Sequence, residues 1–263
     1  MTTVALDAST PIYNRVPKVT VDFWLIKLMA VTVGETAADF LNANLGLGLS
    51  KTSWIMSGFL IVALFLQFAQ KKYVPWIYWL TVVLVSVVGT LITDNLIDNL
   101  GVSQEAASVG FALALAASFA LWYAAEKTLS IHTIYTSRRE TFYWVAILLT
   151  FALGTAAGDL AAEGLGLGYL QAGLMYGAVI CAIGFAHYAL RMNAILAFWL
   201  AYIVTRPMGA SFGDLLSQPP GNGGMGLGTV ITSVLFLAAI AGLVTYMTVS
   251  RDGEEGLSDG PVT

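Results

Sequence analysis

Long apolar stretches alternate along this chain with short polar ones. Apolar runs of roughly 18 to 24 residues recur near 20–42, 53–70, 74–97, 104–125, 140–162, 169–190, 193–216 and 227–249, each long enough at about 1.5 Å per residue to cross a hydrocarbon core of about 30 Å. The pattern predicts an all-α integral membrane protein with eight transmembrane helices. Of the basic residues between the runs, Arg15, Lys18, Lys71, Lys72, Lys127, Arg138, Arg139, Arg191 and Arg251 fall on one side, against Lys51 on the other. Positive charge collects on the cytoplasmic face, so both termini are expected there.

A second periodicity lies on top of the first. Trp24, Trp79, Trp144 and Trp199 are each followed ten residues later by glycine (Gly34, Gly89, Gly154, Gly209) and fifteen residues later by aspartate (Asp39, Asp94, Asp159, Asp214). An aromatic residue precedes every tryptophan (Phe23, Tyr78, Tyr143, Phe198), as suits a belt at the cytoplasmic interface. Glycine-bearing turns follow the aspartates: Leu45-Gly46-Leu47-Gly48, Leu100-Gly101-Val102, Leu165-Gly166-Leu167-Gly168 and Gly226-Leu227-Gly228. The fourth turn is delayed by Pro219-Pro220-Gly221-Asn222-Gly223, a loop expected to act as an outer flap or gate.

The chain therefore divides into a cytoplasmic tail (1–17), four two-helix repeats (18–72, 73–137, 138–191, 192–250) and a polar tail (251–263) expected to be disordered. Every odd-numbered helix starts on the cytoplasmic side. The hairpins are then parallel, with pseudo-symmetry about the membrane normal, and the odd helices are the natural central assembly. The pattern resembles a family of bacterial membrane proteins built of four tandem two-helix repeats of unknown function. Its specific elements here are the Phe23-Trp24 type of dipeptide, Gly34-Glu35-Thr36-Ala37-Ala38-Asp39, Gly154-Thr155-Ala156-Ala157-Gly158-Asp159 and Thr205-Arg206-Pro207-Met208-Gly209 running on to Asp214. The resemblance implies architecture only, and no activity; the expected location is a bacterial inner membrane.

Composition agrees with a membrane protein: 57% of the 263 residues are hydrophobic and 11% charged, and the mean hydropathy is +0.77. The net charge of −4, without a basic arm, gives no reason to expect a nucleic-acid partner. One cysteine and two histidines argue against a thiolate or imidazole metal site. No His-Glu-x-x-His motif or nucleophile–base pair is present, and the chain is not expected to be an enzyme.

Ionisable groups inside apolar spans mark ion, proton or substrate pathways by default. Fifteen residues beyond an interfacial tryptophan is about 22 Å, which sets the four aspartates in the outer half of the bilayer. Positions four apart share a helix face, so Glu35, Thr90 and Thr155 fall next to Asp39, Asp94 and Asp159, with Asp98, Glu163 and Gln218 one step further out. Oxygen donors without sulfur or imidazole suit a hard cation such as Mn²⁺, Mg²⁺ or Ca²⁺, with Asp39, Asp94, Asp159 and Asp214 as ligands or proton carriers. Arg206 is the candidate counter-charge, and Pro207 beside it should free a carbonyl for ligation. Lys27 is either a second counter-charge or a side chain that snorkels to the interface.

Three functions compete on this evidence. The leading one is a transporter or channel-like permease for an inorganic cation. The others are a proton-coupled transporter of a small organic anion held by Arg206, and a non-transporting scaffold or sensor whose aspartates are helix caps. Partners are the lipid bilayer and a small ion or solute; oligomeric state is open.

Overall fold

The computed structural model describes residues 13–44 and 46–258, so residues 1–12 of the N-terminal tail, Leu45 of the first glycine turn and residues 259–263 lie outside it. The described residues form eight α-helices and no strand: α1 (Val21–Asp39), α2 (Leu49–Phe68), α3 (Pro75–Asp94), α4 (Gln104–Glu126), α5 (Ser137–Asp159), α6 (Tyr169–Tyr188), α7 (Ala194–Ser217) and α8 (Thr229–Ser258). All but α1 are long and apolar enough to cross a membrane. α1 falls outside that group because it carries Asp22, Lys27, Glu35 and Asp39. α8 is continuous to Ser258 and thus runs into the tail that composition marks as disordered.

Local chemistry starts the helices. Thr20, Ser103 and Thr136 accept hydrogen bonds from the backbone N–H of Phe23, Ala106 and Arg139, Asn193 accepts from Ile195 and Leu196, and Pro75 opens α3 where its missing N–H is harmless. The odd helices end differently. Just after Asp39, Asp94 and Asp159 the α-helix widens into a π-helical turn (Phe40–Asn44, Asn95–Asn99, Leu160–Gly164), whereas α7 passes Asp214 as ordinary α-helix. Beyond these turns Gly46, Gly101 and Gly166 take φ of 64°, 69° and 67°, where a side chain is strained.

The odd helices close a ring in which α1 and α5 each pack against both α3 and α7. The even helices surround it, and each lies chiefly on the odd helix of the next repeat: α2 on α3, α4 on α5, α6 on α7 and α8 back on α1. The two helices of a repeat are thus neighbours in sequence more than in packing. Over their most apolar 18 residues α3, α5 and α7 are 72%, 61% and 56% buried, while the even helices reach only 17–22%. The even helices are left on the outside of the ring with most of their surface uncovered.

Both repeated sequence features serve ring closure. The aromatic residue of each repeat meets the tryptophan of the next: Phe23 with Trp79 at 5.6 Å, Tyr78 with Trp144 at 5.5 Å, Tyr143 with Trp199 at 6.3 Å and Phe198 with Trp24 at 5.7 Å between ring centroids. Phe23, Tyr78 and Tyr143 are fully buried and the Tyr78 and Tyr143 hydroxyls share a 2.5 Å hydrogen bond, so these residues form a collar inside the ring. Further along, each repeat glycine receives the residue three positions before the next repeat's glycine. Gly34 abuts Ser86, Gly89 abuts Phe151, Gly154 abuts Arg206 and Gly209 abuts Val31. A Cβ on Gly209 would come within 2.5 Å of Val31 Cγ1, and one on Gly89 within 2.7 Å of Phe151 Cβ. Small residues permit this close approach where lipid supplies no hydrophobic drive between helices.

Candidate functional site: a carboxylate cavity at one end of the ring

The aspartate ends of the odd helices meet at the end of the ring opposite the aromatic collar. There a cavity of about 190 Å³ is lined by Glu35, Asp39, Asp94, Asp98, Asp159, Glu163 and Asp214, with Asn42, Ile97, Gln104 and Gln218 between them. All four repeat aspartates line this cavity, which the sequence left open, and Asp98 and Glu163 join them from the π-helical turns. The π-helical turns after Asp94 and Asp159 carry these two carboxylates, and π-helical turns of this kind are frequent at functional sites.

Few of these carboxylates have a partner. Asp39 Oδ2 accepts from Gln218 Nε2 at 3.4 Å, and Glu163 Oε1 accepts from the Tyr169 hydroxyl at 3.1 Å. The side-chain carboxylates of Asp94, Asp159 and Asp214 accept no hydrogen bond and form no ion pair among the described residues, and neither Asp94 nor Asp159 caps the turn that follows it. Asp214 is nonetheless only 8% exposed.

The aspartates are not equivalent as ligands. The group whose carboxylate oxygens lie within 4.8 Å of one another is Glu35, Asp159 and Asp214. Asp39 and Asp94, expected as co-ligands of one ion, line the same cavity but stand outside that triad. The asymmetry begins at Arg206.

Arg206, 1% exposed, reaches from α7 to the other three helices of the ring. One Nη donates to Glu35 Oε2 at 3.0 Å; the other donates to Thr155 Oγ1 at 2.8 Å and to Thr90 Oγ1. The tier of Glu35, Thr90 and Thr155 read from the sequence exists and is joined by the guanidinium, with Glu35 in the cavity wall and Thr90 and Thr155 outside its lining. Its terminal nitrogens being engaged, Arg206 is poorly placed to hold an organic anion.

Lys27 corrects the expectation of a snorkelling side chain. It is fully buried, with Nζ donating to the Tyr202 carbonyl at 2.5 Å and to Thr205 Oγ1, and lies 3.8 Å from the centroid of the Tyr202 ring. The carbonyl it takes is next to that of Ile203, which Pro207 leaves without its helical N–H. The Pro219–Gly223 loop is also less free than expected. Met225 donates to the Leu215 carbonyl at 2.6 Å, Gly226 to Gln218 at 2.8 Å and Leu227 to Leu216 at 3.0 Å, which pins the far side of the loop to the end of α7.

Asn42 and Gln104 were not legible in the sequence. Asn42 lies in a π-helical turn, and Gln104 comes from α4, an even helix outside the repeated pattern. A larger cavity of about 630 Å³ lies elsewhere, bounded by Trp24, Leu28, Ile183, His187, Phe198 and Met208; no carboxylate lines it.

Tandem repeats, apolar helices and a polar cavity within their ring define a polytopic helical membrane protein. The chain belongs to the family described as Repeat of Unknown Function (DUF347), whose model matches residues 23–73, 77–128, 142–193 and 197–252. No curated protein and no solved structure matches it.

Proposed function

We propose that the protein is a secondary transporter of a hard divalent cation, Mn²⁺ or Mg²⁺ foremost, that enters the carboxylate cavity. The observation that carries this reading is a set of carboxylates gathered at one cavity with Asp94, Asp159 and Asp214 lacking any protein partner among the described residues. Carboxylates held together in a low-dielectric setting need a counter-charge or protons, and a cation supplies the former. Arg206 offsets one carboxylate, Glu35. At about 30 Å³ per water, about 190 Å³ has room for an ion with several of its waters, the state in which Mg²⁺-type ions bind.

The topology that fits is eight spans, α1 included because its Lys27 and Glu35 are buried within the ring. The four repeats are then parallel about the membrane normal, both termini face the cytoplasm of a bacterial inner membrane, and the cavity faces outward. Below the cavity the axis is closed by Arg206, Lys27 and the aromatic collar. That closure favours alternating access over an open channel.

The test is thermal unfolding of the detergent-purified protein against Mg²⁺, Ca²⁺, Mn²⁺ and Zn²⁺, alongside Asp159→Asn/Asp214→Asn. A saturable rise in Tm with one hard cation, absent in the variant, supports the reading, because a ligand that binds only the native state stabilises it. An equal response in both proteins, or none, refutes it; uptake into proteoliposomes then measures transport directly.

A further inference from the structure

The ring is nearly four-fold in its contacts, and Arg206 is where that symmetry breaks. Three positions before each repeat glycine stand Val31, Ser86, Phe151 and Arg206, and each packs on the glycine of the preceding repeat in the ring. Arg206 alone of these is charged. One position after the same glycines stand Glu35, Thr90, Thr155 and Ala210, of which Glu35 alone is charged. The two exceptions meet: Arg206 Nη1 lies 3.0 Å from Glu35 Oε2.

Glu35 belongs to two groups at once. It is the anionic partner of Arg206, and its carboxylate is part of the 4.8 Å cluster with Asp159 and Asp214. Asp214 is over nine-tenths buried, lines the cavity and has no partner among the described residues. A buried carboxylate left so is an acceptor awaiting a cation. The guanidinium and an incoming cation would thus draw on the same Glu35.

Building on the cation reading above, we infer that Glu35, Asp159 and Asp214 form a divalent-cation site for which Arg206 is a tethered competitor. In the cation-free state Arg206 holds Glu35 and fills the axis. A cation bound by the triad takes Glu35 into its own coordination and displaces the guanidinium, whose remaining anchors are the hydroxyls of Thr90 and Thr155. Occupancy of the cavity and closure of the axis are coupled through this one side chain, since a ligand shifts an equilibrium only by binding one state better than the other. Lys27 lies further along α1, its amine held by the Tyr202 carbonyl and Thr205 Oγ1.

The experiment is Mn²⁺ binding to the full-length detergent-purified chain, read from the loss of the free-ion electron paramagnetic resonance signal, for native protein, Arg206→Gln, Arg206→Lys and Arg206→Gln/Glu35→Gln. Competition predicts that Arg206→Gln tightens Kd at least about tenfold, that Arg206→Lys, which keeps the charge, tightens it less than about threefold, and that adding Glu35→Gln removes the gain. If Arg206→Gln folds only when Mn²⁺ is supplied, that rescue also supports the inference; the double variant removes both members of the Arg206–Glu35 pair, stranding neither, and serves as the folded reference. A Kd unchanged by Arg206→Gln, a gain that survives Glu35→Gln, or an equal gain from Arg206→Lys overturns the competition while leaving the cation reading intact. Absence of saturable binding in every variant overturns both.

Discussion

Arg206 of the fourth repeat donates to Glu35 of the first at 3.0 Å, joining the two ends of the repeat array across the centre of the ring. The pair belongs to no single repeat. It forms because α7 and α1, far apart in sequence, pack side by side once the ring closes. An ion pair so deeply buried is weak evidence for stability by itself, since desolvation offsets much of its attraction. Its value lies in what it occupies, and four other features of the fold yield expectations that do not depend on it.

The glycine steps of the ring should tolerate no side chain. Gly154→Ala would drive a methyl group into the Arg206 stem, with Pro207 Cδ 3.1 Å away, and is expected to destabilise the protein by about 1–3 kcal/mol, the usual range for overpacking. Gly58→Ala on α2 meets nothing within 4 Å and should be neutral or stabilising by up to about 1 kcal/mol through helix propensity. Thermal unfolding of the two variants side by side measures the contrast.

The Tyr78–Tyr143 hydroxyl pair is buried at the collar. Removing either hydroxyl strands the other, at about 1–3 kcal/mol. Removing both should recover most of that loss. A double-mutant cycle with Tyr78→Phe and Tyr143→Phe is expected to show strong coupling, and additive losses would mean the hydroxyls do not depend on each other.

Asp94 and Asp159 separate a ligand site from a structural cap. A capping aspartate loses about 0.5–2 kcal/mol when its side chain no longer accepts from the backbone. These two cap nothing in the turns that follow them, so Asp94→Asn and Asp159→Asn should hold or raise the unfolding temperature in metal-free buffer. A lowered Tm for both in chelator would instead favour the scaffold reading.

The turn after α5 depends on Gly166, at φ +67° with open space around its Cα. Gly166→Ala meets no clash, and its cost should be conformational alone, about 1–2 kcal/mol. Gly166→Asn should cost less, because asparagine tolerates the left-handed region better; equal losses would contradict a purely conformational origin.

Much of this architecture is written in local pattern. Hydropathy fixes the helices because an apolar run of that length has few other ways to satisfy its backbone in lipid. The Trp–Gly–Asp spacing fixes which helices are equivalent, and a shared depth for the aspartates follows from a constant rise per residue. The glycine turns were legible for the same reason: a turn is a property of the residue and its immediate neighbours, and positive φ is what the structure adds there.

What the sequence by itself determined, then, is the helices, their repetition and the presence of carboxylates at one level of the odd-numbered ones. The tertiary structure decided the rest: that each even helix packs on the next repeat, that the Phe/Tyr-Trp dipeptides form an inner collar, that Lys27 is buried against Tyr202, and that Arg206 pairs with Glu35 while Asp214 is left without a partner. The reason is distance along the chain. Spacing along one helix fixes which face a residue occupies, but partners on other helices are chosen only when the ring closes, and at Arg206 and Glu35 the repeats differ just where closure brings them together.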